Sequence, residues 1–410
     1  MTKFLNTKNI NFILFLTFPI SILVGNFAIN LNILIISLNF IYYILKNNIK
    51  NIFKDKDFFL LFFFFLSLLV NLIFTNDINL SYPRVIKVFF IIFFIFSFKQ
   101  LLADFNKNQV EIIYKTWTII FVIIILDLII EYFSGENVIG FKSIMPGARL
   151  ASFTGTESVI GNYFYGFVLI TLSFFQYNFK KYKYLNIVLA IFFIIVSFII
   201  GERANFIKTF IIVTLFTLFI YDIKFKIKIF LISLIIFLII TLINSNEKLR
   251  SRYIGQISLI FETGRISSYL ENSQYGAHYN VAYEIFRENP FFGVGIKNFR
   301  IESSKDKYDS LSHPKNDRRS ATHPHQIHYE FLSETGLFGY FSFLIFIFLS
   351  LYWSIKNYLI NKNIYQISSI FFILTSLLPL LPSGSFLSSY TSAIFWLNYS
   401  IMVGYNKTTS

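Results

Sequence analysis

Between His323 and His328 the chain reads His-Pro-His-Gln-Ile-His, so three of its five histidines fall within six residues. Imidazole is the side chain whose ordinary pKa, near 6.5, lies closest to neutral pH, which suits it to proton transfer. Pro324 is disfavoured inside a helix but welcome in a first helical turn. His325 and His328 stand i, i+3 apart where an apolar helical pattern begins. Three chemistries fit these residue types. A His-x-His pair with an i, i+3 partner can ligate zinc, although it needs a further ligand and only Glu330 and Glu334 lie near in sequence. The rings can rest as amphipathic groups at a membrane surface. One imidazole can serve as a general base beside the bilayer.

The arginines form a second pattern. All ten (Arg84, Arg149, Arg203, Arg250, Arg252, Arg265, Arg287, Arg300, Arg318, Arg319) lie on one side of the membrane in the topology derived below, and every basic residue on the other side is lysine. Lysine suffices wherever a generic positive charge is required, whereas the planar fork of arginine pairs bidentately with phosphate or carboxylate. The competing reading is an accident of surface charge on a hydrophilic loop.

What must position these groups follows from the rest of the chain. Of its 410 residues 55% are hydrophobic and only 14% charged, and the mean hydropathy of +0.61 excludes a soluble domain of this size. Repeated apolar runs near the ~20 residues that cross a bilayer predict an all-α polytopic membrane protein. Cysteine is absent, which excludes disulfides, thiolate metal sites and cysteine nucleophiles. Lys3 and Lys8 ahead of an apolar stretch resemble a signal peptide, but no small-residue cleavage pattern follows, so the stretch reads as a retained first helix.

About twelve spans are expected, near 10–27, 29–45, 57–75, 84–103, 110–133, 157–176, 185–201, 205–221, 226–243, 336–355, 364–381 and 386–404. With the N-terminus inside, the cytoplasmic connections carry Lys46 to Lys56, Lys99, Lys107, Lys180 to Lys183, Lys224 to Lys228, Lys356 and Lys362, which satisfies the positive-inside rule. The net charge of +14 therefore belongs to the membrane and not to a nucleic-acid partner. The expected organisation is an N-terminal bundle over 1–243, a large, partly helical periplasmic loop over 244–335, and C-terminal helices over 336–410. Loops of that length usually carry function. Within it, Ala277, Val281, Ala282, Ile285 and Phe286 predict a helix over Tyr275–Glu288, stopped by Asn289-Pro290. Gly293-Val-Gly295 reads as a turn, Asp306–Ser320 as a mobile polar link, and Gln326–Glu334 as helix again. Among charges near the spans, Glu131 reads as interfacial and Asp127 as pairing between helices or lining a cavity. Arg84 and Lys87 read either as guides for an anionic group or as snorkelling side chains.

His325-Gln326 followed after nine residues by Gly336-Leu-Phe-Gly339 resembles the signature of the O-antigen ligase and O-antigen polymerase superfamily. Asn289-Pro-Phe-Phe-Gly-Val-Gly295 is similar to that family's Asn-Pro segment, Gly201-Glu-Arg-Ala204 to its short arginine motif, and Arg149-Leu-Ala-Ser-Phe-Thr-Gly155 more weakly to a further one. The resemblance spans roughly residues 140–400 and implies glycan transfer at the periplasmic face of the bacterial inner membrane. A polyprenyl diphosphate carries the donor glycan, and the acceptor is a lipid or saccharide hydroxyl, first of all lipid A-core. No cofactor and no metal are implied. His325 would be the base, and Arg203 would hold the diphosphate. The family's second arginine matches less well, because the expected stretch holds Tyr275, His278 and Tyr279; Arg265 is the choice, with Arg287 and Arg300 as rivals. His278, Gln326 and His328 are supporting candidates. A polymerase on the same carrier or a protein-directed transferase shares this chemistry, and a transporter or flippase is the alternative of a different class.

Overall fold

The computed structural model describes residues 7–49, 51–143, 145, 147–155, 157, 159–254, 273–311, 319–379 and 381–406. Every regular element among them is helical: α1 (Thr7–Val24), α2 (Asn26–Lys46), α3 (Lys56–Asn71), α4 (Ile78–Asp104), α5 (Lys107–Ser134), α6 (Ile160–Asn178), α7 (Lys183–Ile199), α8 (Arg203–Ile220), α9 (Phe225–Ser245), α10 (Gln274–Glu288), α11 (Ile327–Asn361), α12 (Ile364–Ser376) and α13 (Ser389–Gly404), with one α-helical turn (Phe299–Glu302) and short 3-10 turns between them. Eight described helices, α2 to α5, α7 to α9 and α11, are long and apolar enough to cross a bilayer. The chain is an all-helical, multi-pass membrane protein.

Helices α1, α6, α12 and α13 occupy the other expected positions and are shorter or less apolar for a physical reason. Both α6 and α13 are enclosed by neighbours, so hydroxyl and amide side chains can pair across helices instead of facing lipid. Tyr165 Oη bonds Thr375 Oγ1 at 2.7 Å, Ser173 Oγ bonds Ser368 Oγ at 2.5 Å, and Asn398 Nδ2 donates to Gly166 O at 3.1 Å. At the opposite extreme α9 touches only α7 and α8 at length and buries little but Ile235, so it is apolar all round. At the lysine-rich end one charge is not a free surface lysine. Lys99 Nζ is buried between Asp55 Oδ2 at 2.7 Å and Asp57 Oδ2 at 2.9 Å, and it ties α4 to the start of α3.

On the other face, α10 forms where its apolar spacing predicts a helix, with Ser273 Oγ accepting from Gly276 N at 3.0 Å as N-cap. Val281, Ala282 and Ile285 pack with Val294, Phe299 and Tyr308 into a small core. Here the structure corrects one expectation. The described start of the supposed polar link, Asp306–Leu311, is a 3-10 turn that buries Tyr308, whose Oη donates to Glu288 Oε2 at 2.7 Å.

This segment is joined to the membrane by a break in α11 at Gly336 (φ 62°, ψ −166°). Leu337 N and Phe338 N donate to Pro290 O and Phe291 O at 2.8 and 3.0 Å, while Val294 N and Gly295 N donate to Ser333 O and Glu334 O at 3.0 and 2.9 Å. The Asn-Pro segment thus supplies the backbone partners that the broken helix lacks. Two backbones can approach so closely only without side chains: a Cβ on Gly336 would lie 2.4 Å from Phe291 C, and one on Gly293 2.5 Å from Glu334 C. Behind the segment, Asn71 Nδ2 donates to Phe292 O at 2.6 Å, and Asn298 Nδ2 donates to Thr75 Oγ1 and Ser81 Oγ at 2.9 and 3.0 Å.

Gly336→Ala combines a forbidden φ with a backbone clash and is expected to cost about 2 kcal/mol or more. Gly25→Ala shares the positive φ but meets nothing within 4 Å. Thermal unfolding in detergent should show the larger loss for Gly336→Ala; equal losses would contradict the packing account.

Candidate functional site

Two tightly anchored turns bring the arginines together. Asp127 and Glu131 near the end of α5 are buried, and among the described residues neither pairs with a cation. Glu131 accepts Ala151 N and Ser152 N at 3.0 and 2.7 Å, and Asp127 Oδ2 accepts Ser152 Oγ at 2.5 Å. They hold residues 149–152 against the bundle. Leu150 N then donates to Ile200 O at 2.9 Å, and Gly201 (φ +78°) packs so closely that a Cβ would lie 2.1 Å from Ala148 O. Glu202 is buried and accepts Gly161 N at 2.8 Å and Asn205 Nδ2 at 2.6 Å, with Arg149 Nη2 at 3.6 Å. Burial raises its carboxyl above the ordinary value although Arg149 pulls the other way.

Arg203 opens α8, and its Nη1 donates to Arg252 O at 3.1 Å; Arg252 Nε donates back to Gly201 O at 3.0 Å. Residues 247–254 are helical, and Tyr253, stacked on Phe198 with ring centroids 4.4 Å apart, fixes them on α7. Both guanidinium groups are therefore positioned by neutral carbonyls, and among the described residues neither forms an ion pair. Burial and the neighbouring Arg203 and Arg149 charges lower the Arg252 pKa below its ordinary value.

Arg149, Arg203 and Arg252 line a cavity of about 570 Å³ whose lining also includes Lys208, Tyr275, His323 and His325. Among its described lining residues four cations face one carboxylate, Glu202. The lining also includes the apolar residues Ile207, Phe372, Leu381, Ile394 and Phe395. His325 sits just before α11 in the left-handed region (φ 59°), and its carbonyl accepts Ser383 N at 2.8 Å. The 383–388 turn is fixed in turn by Glu330, which accepts Ser385 Oγ at 2.5 Å and Phe386 N at 2.9 Å. The His325 ring lies 4.0 Å from that of His323 and stacks on His278 at 5.3 Å, with Tyr275 edge-on at 5.6 Å.

The structure thus brings Arg203 and His325 to one cavity and sets buried His278 against the latter. Arg265 lies outside the described residues. Arg287 is exposed and pairs with Glu284 at 3.1 Å, and Arg300 is exposed and does not line the cavity. Gln326 is the N-cap of α11, its Oε1 accepting Tyr329 N at 2.9 Å. His328 turns away, its Nε2 at 2.8 Å from Leu377 O and its Nδ1 at 2.9 Å from Tyr340 Oη. Sequence reasoning missed Arg252 and Lys208 and assigned Arg149 no role. The cue for Arg252 was arginine at an outer boundary, shared with nine other residues; the cue for Lys208 was a lysine inside a span. Among the described residues no group of three or more His, Asp or Glu side chains converges as a metal site.

Burial pushes the His323 and His325 imidazoles down to about 3; the Lys297 charge adds to this at His323, and the neighbouring imidazoles add to it at His325. Both rings are neutral at pH 7 in the fold, whereas an unfolded imidazole titrates near 6.5. The unfolded chain therefore binds more protons between these values, and stability falls as pH drops from 6.5 toward 3. A His323→Gln/His325→Gln double variant should show a shallower acid-side fall in melting temperature across that window. An unchanged profile would contradict rings held neutral by the fold.

Among curated proteins, none matches the chain. Residues 150–344 match a family model described as O-antigen ligase, and the matched stretch holds Arg203, Arg252, His278, His323 and His325 as well as the Gly336 break. That family fits a multi-pass membrane protein with a glycan-transfer activity. Over residues 150–344, just under half of its length, the chain is similar to the O-antigen ligase family.

Proposed function

We propose that the chain transfers a finished glycan from a polyprenyl diphosphate to an acceptor hydroxyl, such as one on lipid A-core, at the periplasmic face of the bacterial inner membrane. The observation that carries this reading is the shared cavity: an imidazole pair and three arginines line it together with apolar residues. A sugar joined through C1 to a diphosphate already has a good leaving group, so the protein must supply a base, a charge clamp and orientation. His325 removes the acceptor proton, the acceptor oxygen attacks C1, and the C1–O bond to the diphosphate breaks with inversion. Arg203 and Arg252 receive the charge that grows on the departing diphosphate, in a low-dielectric setting where it is worth most. Arg149 acts through Glu202 and the Gly201 turn to hold that clamp. About twelve spans, the bundle over 1–243, the segment over 244–335 and the helices over 336–410 complete the arrangement.

An imidazole with a pKa of about 3 is a poor base at neutral pH. The donor supplies the correction. A diphosphate anion held beside the ring favours the imidazolium, so the pKa of His325 rises once the donor binds. Basicity then develops only in the loaded site, and the empty enzyme is not primed to deprotonate water.

Nuclear magnetic resonance titration of labelled His325 should show its pKa rising when undecaprenyl diphosphate is added, and no rise would contradict the proposed clamp. In a strain lacking the gene, restoration of surface glycan by the wild type but not by His325→Ala, at equal protein abundance, is expected. Full-length polymer stranded on the carrier in the deletion strain supports a ligase; single repeat units capped onto the core would reassign the chain as a polymerase.

A further inference from the structure

Lys208 is only 5% exposed, yet among the described residues no carboxylate pairs with it. It lies five residues beyond Arg203 on α8, about 7.5 Å deeper along the helix axis. Its Nζ lies 3.4 Å from Pro382 O and 5.9 Å from the centre of the Tyr165 ring. The Tyr165 ring is fixed because its Oη donates to Phe372 O at 2.9 Å. One long carbonyl contact and an aromatic face are poor compensation for an ammonium within a membrane span. Intramembrane cations of this kind persist where a pathway or ligand requires them. Lys208 lines the same cavity as the arginines, and that lining also includes the apolar Ile207 and Phe372. An anion reaching that depth must be joined to an apolar chain.

We infer that Lys208 binds the lipid-proximal phosphate of the donor, so that the site selects a diphosphate over a monophosphate carrier. This rests on the donor reading above. Arg203 and Arg252 take the sugar-side phosphate near His325, Lys208 takes the second phosphate one step deeper, and the polyprenyl chain leaves along the apolar lining residues. The order of cations along α8 thereby fixes the polarity of the ligand, glycan outward and lipid inward. A lysine suits the deeper place because its flexible stem follows apolar surface while its compact head meets a single phosphate.

The test is binding of undecaprenyl diphosphate and undecaprenyl monophosphate to the full-length protein in lipid nanodiscs. Wild type should prefer the diphosphate by about tenfold, the scale of one charge-assisted contact. Lys208→Gln should erase that preference by weakening diphosphate binding alone, and Lys208→Arg should retain most of it. Should the glutamine variant not fold, Lys208→Met keeps the apolar stem and answers the same question. A preserved preference in the uncharged variant, or an equal loss for both lipids, would overturn the inference by reducing Lys208 to a packing residue. A wild type that binds both carriers alike would also overturn it while leaving the donor reading standing. A wild type that binds neither carrier and transfers nothing would remove the donor reading itself.

Discussion

An imidazole and a cluster of guanidinium groups that lie far apart in sequence share a cavity only if a polar segment is fixed against a helix that enters the membrane. Backbone-to-backbone contact at the Gly336 break provides that fixation. Four hydrogen bonds run between residues 290–295 and the chain around the break, and glycines at 293 and 336 allow the approach. Because α11 is broken there, its first turns can direct His325 toward the cavity while its remainder follows the bundle. Loss of this contact would free the histidine turn from the membrane without touching any side chain proposed to do chemistry.

Among its described lining residues the cavity sets four cations against a single carboxylate. Carbonyls orient Arg203 and Arg252, and Glu202, the carboxylate among the described lining residues, also accepts Gly161 N and Asn205 Nδ2. A carboxylate paired with each arginine would cancel the charge that an incoming anion meets. Asp127 and Glu131 illustrate the division of labour. Their negative charge is directed at backbone N–H groups and a hydroxyl in the 138–152 region, so it shapes the site without neutralising it. The His323 and His325 rings follow the same logic, since burial and their close packing keep both neutral in the fold.

Helical architecture was legible because it is written in composition and period: apolar runs mark the bundle, and the spacing of Ala277, Val281, Ala282 and Ile285 marks α10. The histidine motif and the Asn-Pro segment were legible as separate signals, but not that one completes the hydrogen bonding of the other, since backbone partners leave no residue type to read. Arg252 was hidden for a related reason. Its position depends on Tyr253 stacking on Phe198, a contact between segments that no local pattern announces. Asp306–Leu311 misled in the opposite way: its polar composition suggested a link, and Tyr308 with Leu311 packs it onto the small outer core.

The most direct measurement is a high-resolution electron cryomicroscopy map of the full-length protein in nanodiscs with undecaprenyl diphosphate. The diphosphate should lie within hydrogen-bond distance of Arg203 and Arg252, with the His325 ring facing its outer end and the lipid chain along Phe372 and Phe395. A carrier bound elsewhere on the protein, with this cavity empty or filled by side chains, would contradict the account.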